Sequence, residues 1–307
     1  MAHPKNEDIY IVGSGAIGKA LAVFLKRENK NVRLVRGSLD DLPKTENEVT
    51  VIVGDETFKE RITTITFSHI SAIHGIVLVT TKTFANAQMA KKLNAIGGDF
   101  SIVLLQNGLN IDYPFERFRS VFRCVLFSTS QVTGDSEVTF KSVTASPIGN
   151  ITGTNDDLQN LIGHINTPQF EFRGEPDILK YVWNKTITNC VFNTICPLLE
   201  IDNGIFHRNS EAKGLAQKVI AECVLVAELQ GILLDKDEII GNLVLISEKS
   251  DGQLISTYMD ILNKRPTEIE SLNLEIAKIA DEIGRPEVVQ TTRILGQLIQ
   301  IKSTIQA

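Results

Sequence analysis

Apolar positions in the first half of the chain fall into short β-branched runs separated by stretches of helical spacing. Residues 9–12 read as a first strand, 16–27 as an amphipathic helix and 32–35 as a second strand, which together make one βαβ unit. Further runs at 49–53, 62–67, 76–80, 102–105 and 121–128 predict strands, and residues 138–148, rich in Thr, Val and Phe, predict a late antiparallel hairpin. The charged stretch 40–48 reads as a solvated loop. Strands alternating with helices predict an α/β fold built on a parallel, doubly wound sheet.

The pattern changes near Gly174-Glu175-Pro176-Asp177. Pro176 suits the first position of a helix, and from there the apolar spacing is helical, with breaks at Asn203-Gly204, 231–235, 250–252, Arg265-Pro266 and 284–286. The expected organisation is a Rossmann-type domain over residues 1–174 and an all-helical domain over 175–307.

A net charge of −6 over 307 residues argues against nucleic acid or an anionic membrane as a partner. No apolar run reaches the length of a membrane span, and residues 1–8 lack the apolar core of a signal peptide, so a cytoplasmic location is expected. Cys124, Cys190, Cys196 and Cys223 lie in apolar stretches without a C-x-x-C pair and read as buried free thiols. His3, His69, His74, His164 and His207 show no paired ligand spacing. No metal is expected.

Gly13-Ser14-Gly15-Ala16-Ile17-Gly18 follows the first strand directly and opens the first helix, the setting a dinucleotide fingerprint requires. Its first glycine makes the tight turn, its second lets a pyrophosphate approach the backbone, and its third lets helix pack on strand, while the helix N-terminus offers N–H donors to phosphate. The second strand ends Leu34-Val35-Arg36-Gly37-Ser38. Where NAD-selective sites carry an acid, Arg36 presents a guanidinium able to fork onto a 2′-phosphate, with Ser38 as a further donor, so NADP is favoured. Under the competing reading Arg36 is a surface charge, and Asp40 or Asp41 binds the ribose.

In the later helical region Lys185, Asn189 and Asn193 recur every four residues and share one stripe, flanked by Trp183, Ile187, Val191, Ile195 and Leu198. A lysine there is half-buried. Burial lowers its pKa, which suits a proton donor near neutral pH, and amides on an apolar helix must find partners. The bland alternative is a lysine whose stem packs while its head reaches water.

Two further motifs stand at carboxyl ends of strands, where such sheets bind ligands: Val79-Thr80-Thr81-Lys82-Thr83 and Gln106-Asn107-Gly108-Leu109. With the glycine turn, the helix carrying Lys185, and Arg265-Pro266-Thr267-Glu268-Ile269, they form an ordered set that resembles the ketopantoate reductase (2-dehydropantoate 2-reductase) family over nearly the whole chain. The resemblance implies NADPH-dependent reduction of ketopantoate to pantoate, a step of pantothenate biosynthesis. It implies Lys185 as the catalytic proton donor, Asn107 as a contact to both cofactor and substrate, and Lys82 as a cofactor contact. Asn189, Asn193, Asn203 and Ser256 match substrate-binding positions, and Glu268 a cofactor-side acid. Alone, Glu268 reads as an acid in the first turn of a helix begun by Pro266, Ser256 as a helical serine, Asn107-Gly108 as a turn and Lys82 as a solvated lysine.

The chain departs from the family pattern around Ser130-Gln131-Val132-Thr133-Gly134 and at Pro286-Glu287. Two rival readings stand beside the resemblance: a reductase of another small 2-oxo acid, and a sensor that binds NADP without turnover. A homodimer is compatible with either.

Overall fold

The computed structural model describes residues 7–37 and 39–305. Among the described residues, eleven strands form one sheet in the order β11-β10-β7-β6-β5-β1-β2-β4-β3-β9-β8. They span β1 Asp8–Val12, β2 Asn31–Arg36, β3 Thr45–Val53, β4 Glu56–Thr66, β5 Ile73–Val79, β6 Gly98–Leu104, β7 Val121–Cys124, β8 Ser128–Gly134, β9 Glu137–Ser142, β10 Ser146–Thr152 and β11 Phe172–Gly174. The central six, β7-β6-β5-β1-β2-β4, are parallel. At their flanks β3 runs antiparallel to β4, and β10 antiparallel to β7.

The sheet is thus mixed rather than wholly parallel. Gly54, with φ +58°, turns β3 tightly into β4, and such a turn can only make an antiparallel pair. The stretch expected as a loop at 40–48 in fact gives its last residues to β3. Glu46 and Glu48 are exposed there because β9 pairs only with Thr50, Val51 and Ile52, so the charged half of the strand lies on an open edge. The run at 121–128 divides between β7 and β8. The hairpin expected at 138–148 lies earlier, between β8 and β9 around Asp135-Ser136, while β10 pairs with β7 instead.

Every residue of β1 after Asp8 is buried, because both faces of the sheet are covered. Ile9 and Ile11 join the core under α1, Ala16–Arg27, whereas Tyr10 and Val12 join the core under α2, Asn86–Ile96. A third helix, α3 Asn155–Ile165, begins with a reciprocal cap between Thr154 and Asp157.

Contacts divide the chain into two compact units. The first comprises Met1–Gln106 and Ile111–Ile178. It runs past Gly174 because β11 pairs with β10 and Glu175 N donates to Ile148 O at 2.8 Å. The second comprises Asn107–Asn110 and Leu179–Ala307. Its helices are α4 Ile178–Leu199, α5 Ile205–Arg208, α6 Ser210–Leu229, α7 Lys236–Lys249, α8 Ser256–Leu262, α9 Asn273–Glu282 and α10 Gln290–Ile305. The expected breaks separate them except α5 from α6, which Asn209 divides by capping α6. Pro176 precedes α4 instead of opening it, and Pro266 lies in an irregular segment after α8. Among the described residues no helix is long and apolar enough to cross a membrane.

Candidate active site

In the first unit the glycine turn leaves the end of β1 between β2 and β5, where the strand order reverses direction. Gly13 N donates to Val35 O at 3.0 Å, and Thr80 Oγ1 donates to Val12 O at 3.2 Å and Gly13 O at 3.1 Å. Gly13 has φ +123°, and a Cβ there would stand 2.5 Å from Thr80 Oγ1. A Cβ on Gly18 would collide with the Gly13 carbonyl. Gly15, by contrast, faces open space and precedes α1 with no side-chain cap, so the first N–H groups of the helix have no bond from its N-cap residue. Ser14 and Gly15 are exposed. This is a cradle that an anion can approach.

Arg36 ends β2, half-buried, with Nη2 donating to Thr45 Oγ1 at 3.4 Å. Asp40 is held by Lys92 in a 2.5 Å ion pair, and Asp41 is turned by its own φ of +61°. Ser38 lies outside the described residues. Lys82 is half-buried and precedes the short 3-10 turn Thr83–Ala85. Beneath it lies a pair of buried amides that sequence reading missed. Gln106 Nε2 donates to Thr81 O at 2.8 Å and Asn86 Oδ1 at 2.7 Å, while Asn86 Nδ2 donates to Gln106 Oε1 and Ile111 O, both at 2.9 Å. Asn86 opens a helix, where an amide looks like an ordinary terminal residue, and its partner is far along the chain.

The second unit takes the tetrapeptide Asn107–Asn110. Leu109 N donates to Ser271 O at 2.9 Å, and Asn110 Nδ2 donates to Glu275 Oε1 at 2.8 Å. Gly108, with φ +106°, lies so close to Ser271 that a Cβ would stand 2.6 Å from its side chain. Ser271 Oγ and N both donate to Glu268 O, at 3.0 and 3.1 Å. The structure therefore brings the Asn107 turn and Glu268 together through Ser271. Glu268 is half-buried and precedes the 3-10 turn Ile269–Ser271; it is not in the first turn of a helix begun by Pro266.

On α4, burial holds the half-buried Lys185 ammonium below the usual lysine range. Asn189, one turn on, is half-buried, and Asn193 is buried at 3 % exposure with Oδ1 accepting from Thr257 N at 3.4 Å. Pro197, inside the same helix, has no N–H for the Asn193 carbonyl. Ser256 is exposed at the start of α8. The backbone of Asn203 is fixed at both ends, by Asn203 N to Gln253 O at 2.9 Å and Ser247 Oγ to Asn203 O at 2.6 Å, whereas its buried Oδ1 has no partner among the described residues. No group of His, Cys, Asp and Glu able to hold a metal occurs among the described residues.

Two family models match the chain: "Ketopantoate reductase PanE/ApbA" over residues 9–153 and "Ketopantoate reductase PanE/ApbA C terminal" over 177–303. A 2-dehydropantoate 2-reductase of Streptococcus pyogenes serotype M18 is 22 % identical, covering 97 % of this chain and 98 % of its own. One from Aquifex aeolicus is 28 % identical over 89 % of this chain and 90 % of its own. The fold is shared with D-mandelate dehydrogenase bound to NADH and anilino(oxo)acetate, at a TM-score of 0.86 and 18 % identity, covering 97 % of this chain and 99 % of the other. It is also shared with a dimeric ketopantoate reductase from Staphylococcus aureus, at a TM-score of 0.81 and 19 % identity, covering 98 % of this chain and all of the other. Matched in both its sheet-bearing and its helical parts, the chain belongs to the ketopantoate reductase family.

Proposed function

We propose that the protein reduces ketopantoate to pantoate with NADPH, in the supply of pantothenate. The observation that carries this reading is Lys185, an ammonium made more acidic by burial, on one stripe of α4 with Asn189 and Asn193. The open Gly15 and uncapped α1 suit a dinucleotide pyrophosphate, with Gly13, Ser14, Ala16, Ile17 and Gly18 completing the turn, and Arg36 suits a 2′-phosphate. Lys82, Asn107 and Glu268 are the further cofactor contacts in this proposal. When bound, the nicotinamide supplies the hydride.

The chain's own residues supply the proton and the orientation. Lys185 gives its proton to the ketone oxygen as negative charge develops there, and its cationic charge stabilises that oxygen beforehand. Asn189, Asn193, Asn203 and Ser256 bind the carboxylate and hydroxyl of the substrate. The buried Asn203 Oδ1 needs a donor, and a substrate hydroxyl provides one.

A second reading, reduction of another 2-oxo acid, is favoured by the likeness in fold to D-mandelate dehydrogenase. Loss of NADPH absorbance with ketopantoate and a panel of other 2-oxo acids separates the two. Marked preference for ketopantoate supports the first; preference for an aromatic 2-oxo acid overturns it; binding of NADPH without turnover of any acid makes the protein a sensor.

A homodimer belongs to the same proposal. Exposed Ile294, Leu298, Ile301 and Ile305 recur along α10 at two positions per heptad with no charge in the row, a seam that two copies related by a twofold axis can pair. Light scattering checks it: a monomeric mass at micromolar concentration removes the dimer.

A further inference from the structure

The tetrapeptide Asn107–Asn110 leaves the first unit at Gln106 and rejoins it at Ile111. Asn86 bonds both stems: its Nδ2 donates to the Gln106 side chain and to the Ile111 carbonyl, each at 2.9 Å. Gln106 in turn donates to the carbonyl of Thr81, the residue before Lys82. Asn86 and Gln106 are 3 % and 6 % exposed, so an amide left without its partner there is costly. One buried side chain thus links the stems of one turn and, through Gln106, the base of the other.

We propose that Asn86 is a positioning residue for the dinucleotide, setting the Lys82 turn and the stems of the Asn107 turn in one register. The inference rests on the reading that Lys82 and Asn107 meet the cofactor. Asn86 itself need touch nothing that reacts. A donor removed at Asn86 frees Ile111 O and Gln106 Oε1 together, and Gln106 can then rotate away from Thr81 O.

Asn86→Asp tests this in the full chain, because it keeps the size and the acceptor for Gln106 Nε2 but replaces the donor. NADPH affinity by fluorescence titration should fall about tenfold, the size of one lost buried hydrogen bond, and amide exchange should quicken in residues 81–83 and 106–111. Thr152→Val is the control. It removes a part-buried hydrogen bond to Phe118 O elsewhere in the same unit, and should lower the melting temperature without changing NADPH affinity. An unchanged affinity in folded Asn86→Asp, or an equal loss in Thr152→Val, overturns the proposal. Should Asn86→Asp not fold, Asn86→Ser is measured in the same way. If the wild-type chain itself binds no NADPH, the dinucleotide reading fails, and the exchange rates of the two turns still decide whether Asn86 holds them.

Discussion

Asn193 Oδ1 accepts the backbone N–H of Thr257 at 3.4 Å, so an amide in the middle of α4 closes the first turn of α8, where Ser256 stands. Asn193 therefore has two tasks, one structural and one in the proposed substrate site. Asn193→Ala should raise KM for ketopantoate by the equivalent of about 1.5–3 kcal/mol, a lost bond to a charged group. It should also lower stability by about 0.5–2 kcal/mol, a lost cap. Asn189→Ala, with no such cap to lose, should raise KM alone. Steady-state kinetics beside thermal melts checks the contrast; equal loss of stability in both variants would remove it.

Lys185→Ala should keep fold and cofactor binding and lose turnover by roughly 10²–10⁴-fold, the usual contribution of a positioned general acid. Lys185→Arg should fail too, since a guanidinium keeps its proton. The proton donor works only while protonated. Because burial lowers its pKa, the wild-type kcat should decline as pH rises through a value below the ordinary lysine range of about 10.4. A pH profile flat up to that range means another group gives the proton.

Arg36→Ala should raise KM for NADPH and leave NADH nearly untouched, because only the former carries a 2′-phosphate for the guanidinium to fork onto. The ion pair of Asp40 with Lys92 leaves Asp40 engaged elsewhere. Equal losses for both cofactors would refute the assignment.

Gly108→Ala should destabilise the chain by about 1–3 kcal/mol, combining an unfavourable positive φ with a Cβ pressed on Ser271. Because Leu109 N bonds Ser271 O, the Asn107 turn should be displaced as well, and kcat should fall with the melting temperature. A variant that melts as the wild type does would show that the turn accommodates the methyl group.

Local signals were strong where one segment carried its own constraint. The glycine turn, α1 and the stripe of α4 were legible because strand, tight turn and apolar period agree within a few residues of each other. The fate of residues 45–48 was not, because charge suggested solvent while pairing with β4 decided the conformation. The β8–β9 hairpin was misplaced for a similar reason: β-branched content marks strands but does not say which neighbour each will choose. At the candidate site the fingerprint glycines could be read from sequence, whereas Asn86 and the capping task of Asn193 depend on partners distant along the chain.

Synthesis from the N-terminus gives the tetrapeptide Asn107–Asn110 a particular history. N-terminal segments fold first as they emerge, and the strands on either side of residues 107–110 find their partners within the first unit. Ser271 and Glu275, which hold Leu109 and Asn110, are made much later. The sheet can form while its Q-N-G turn waits, so the proposed site cannot be completed until the chain has been made past Glu275, in the first turn of α9, whatever else has already folded.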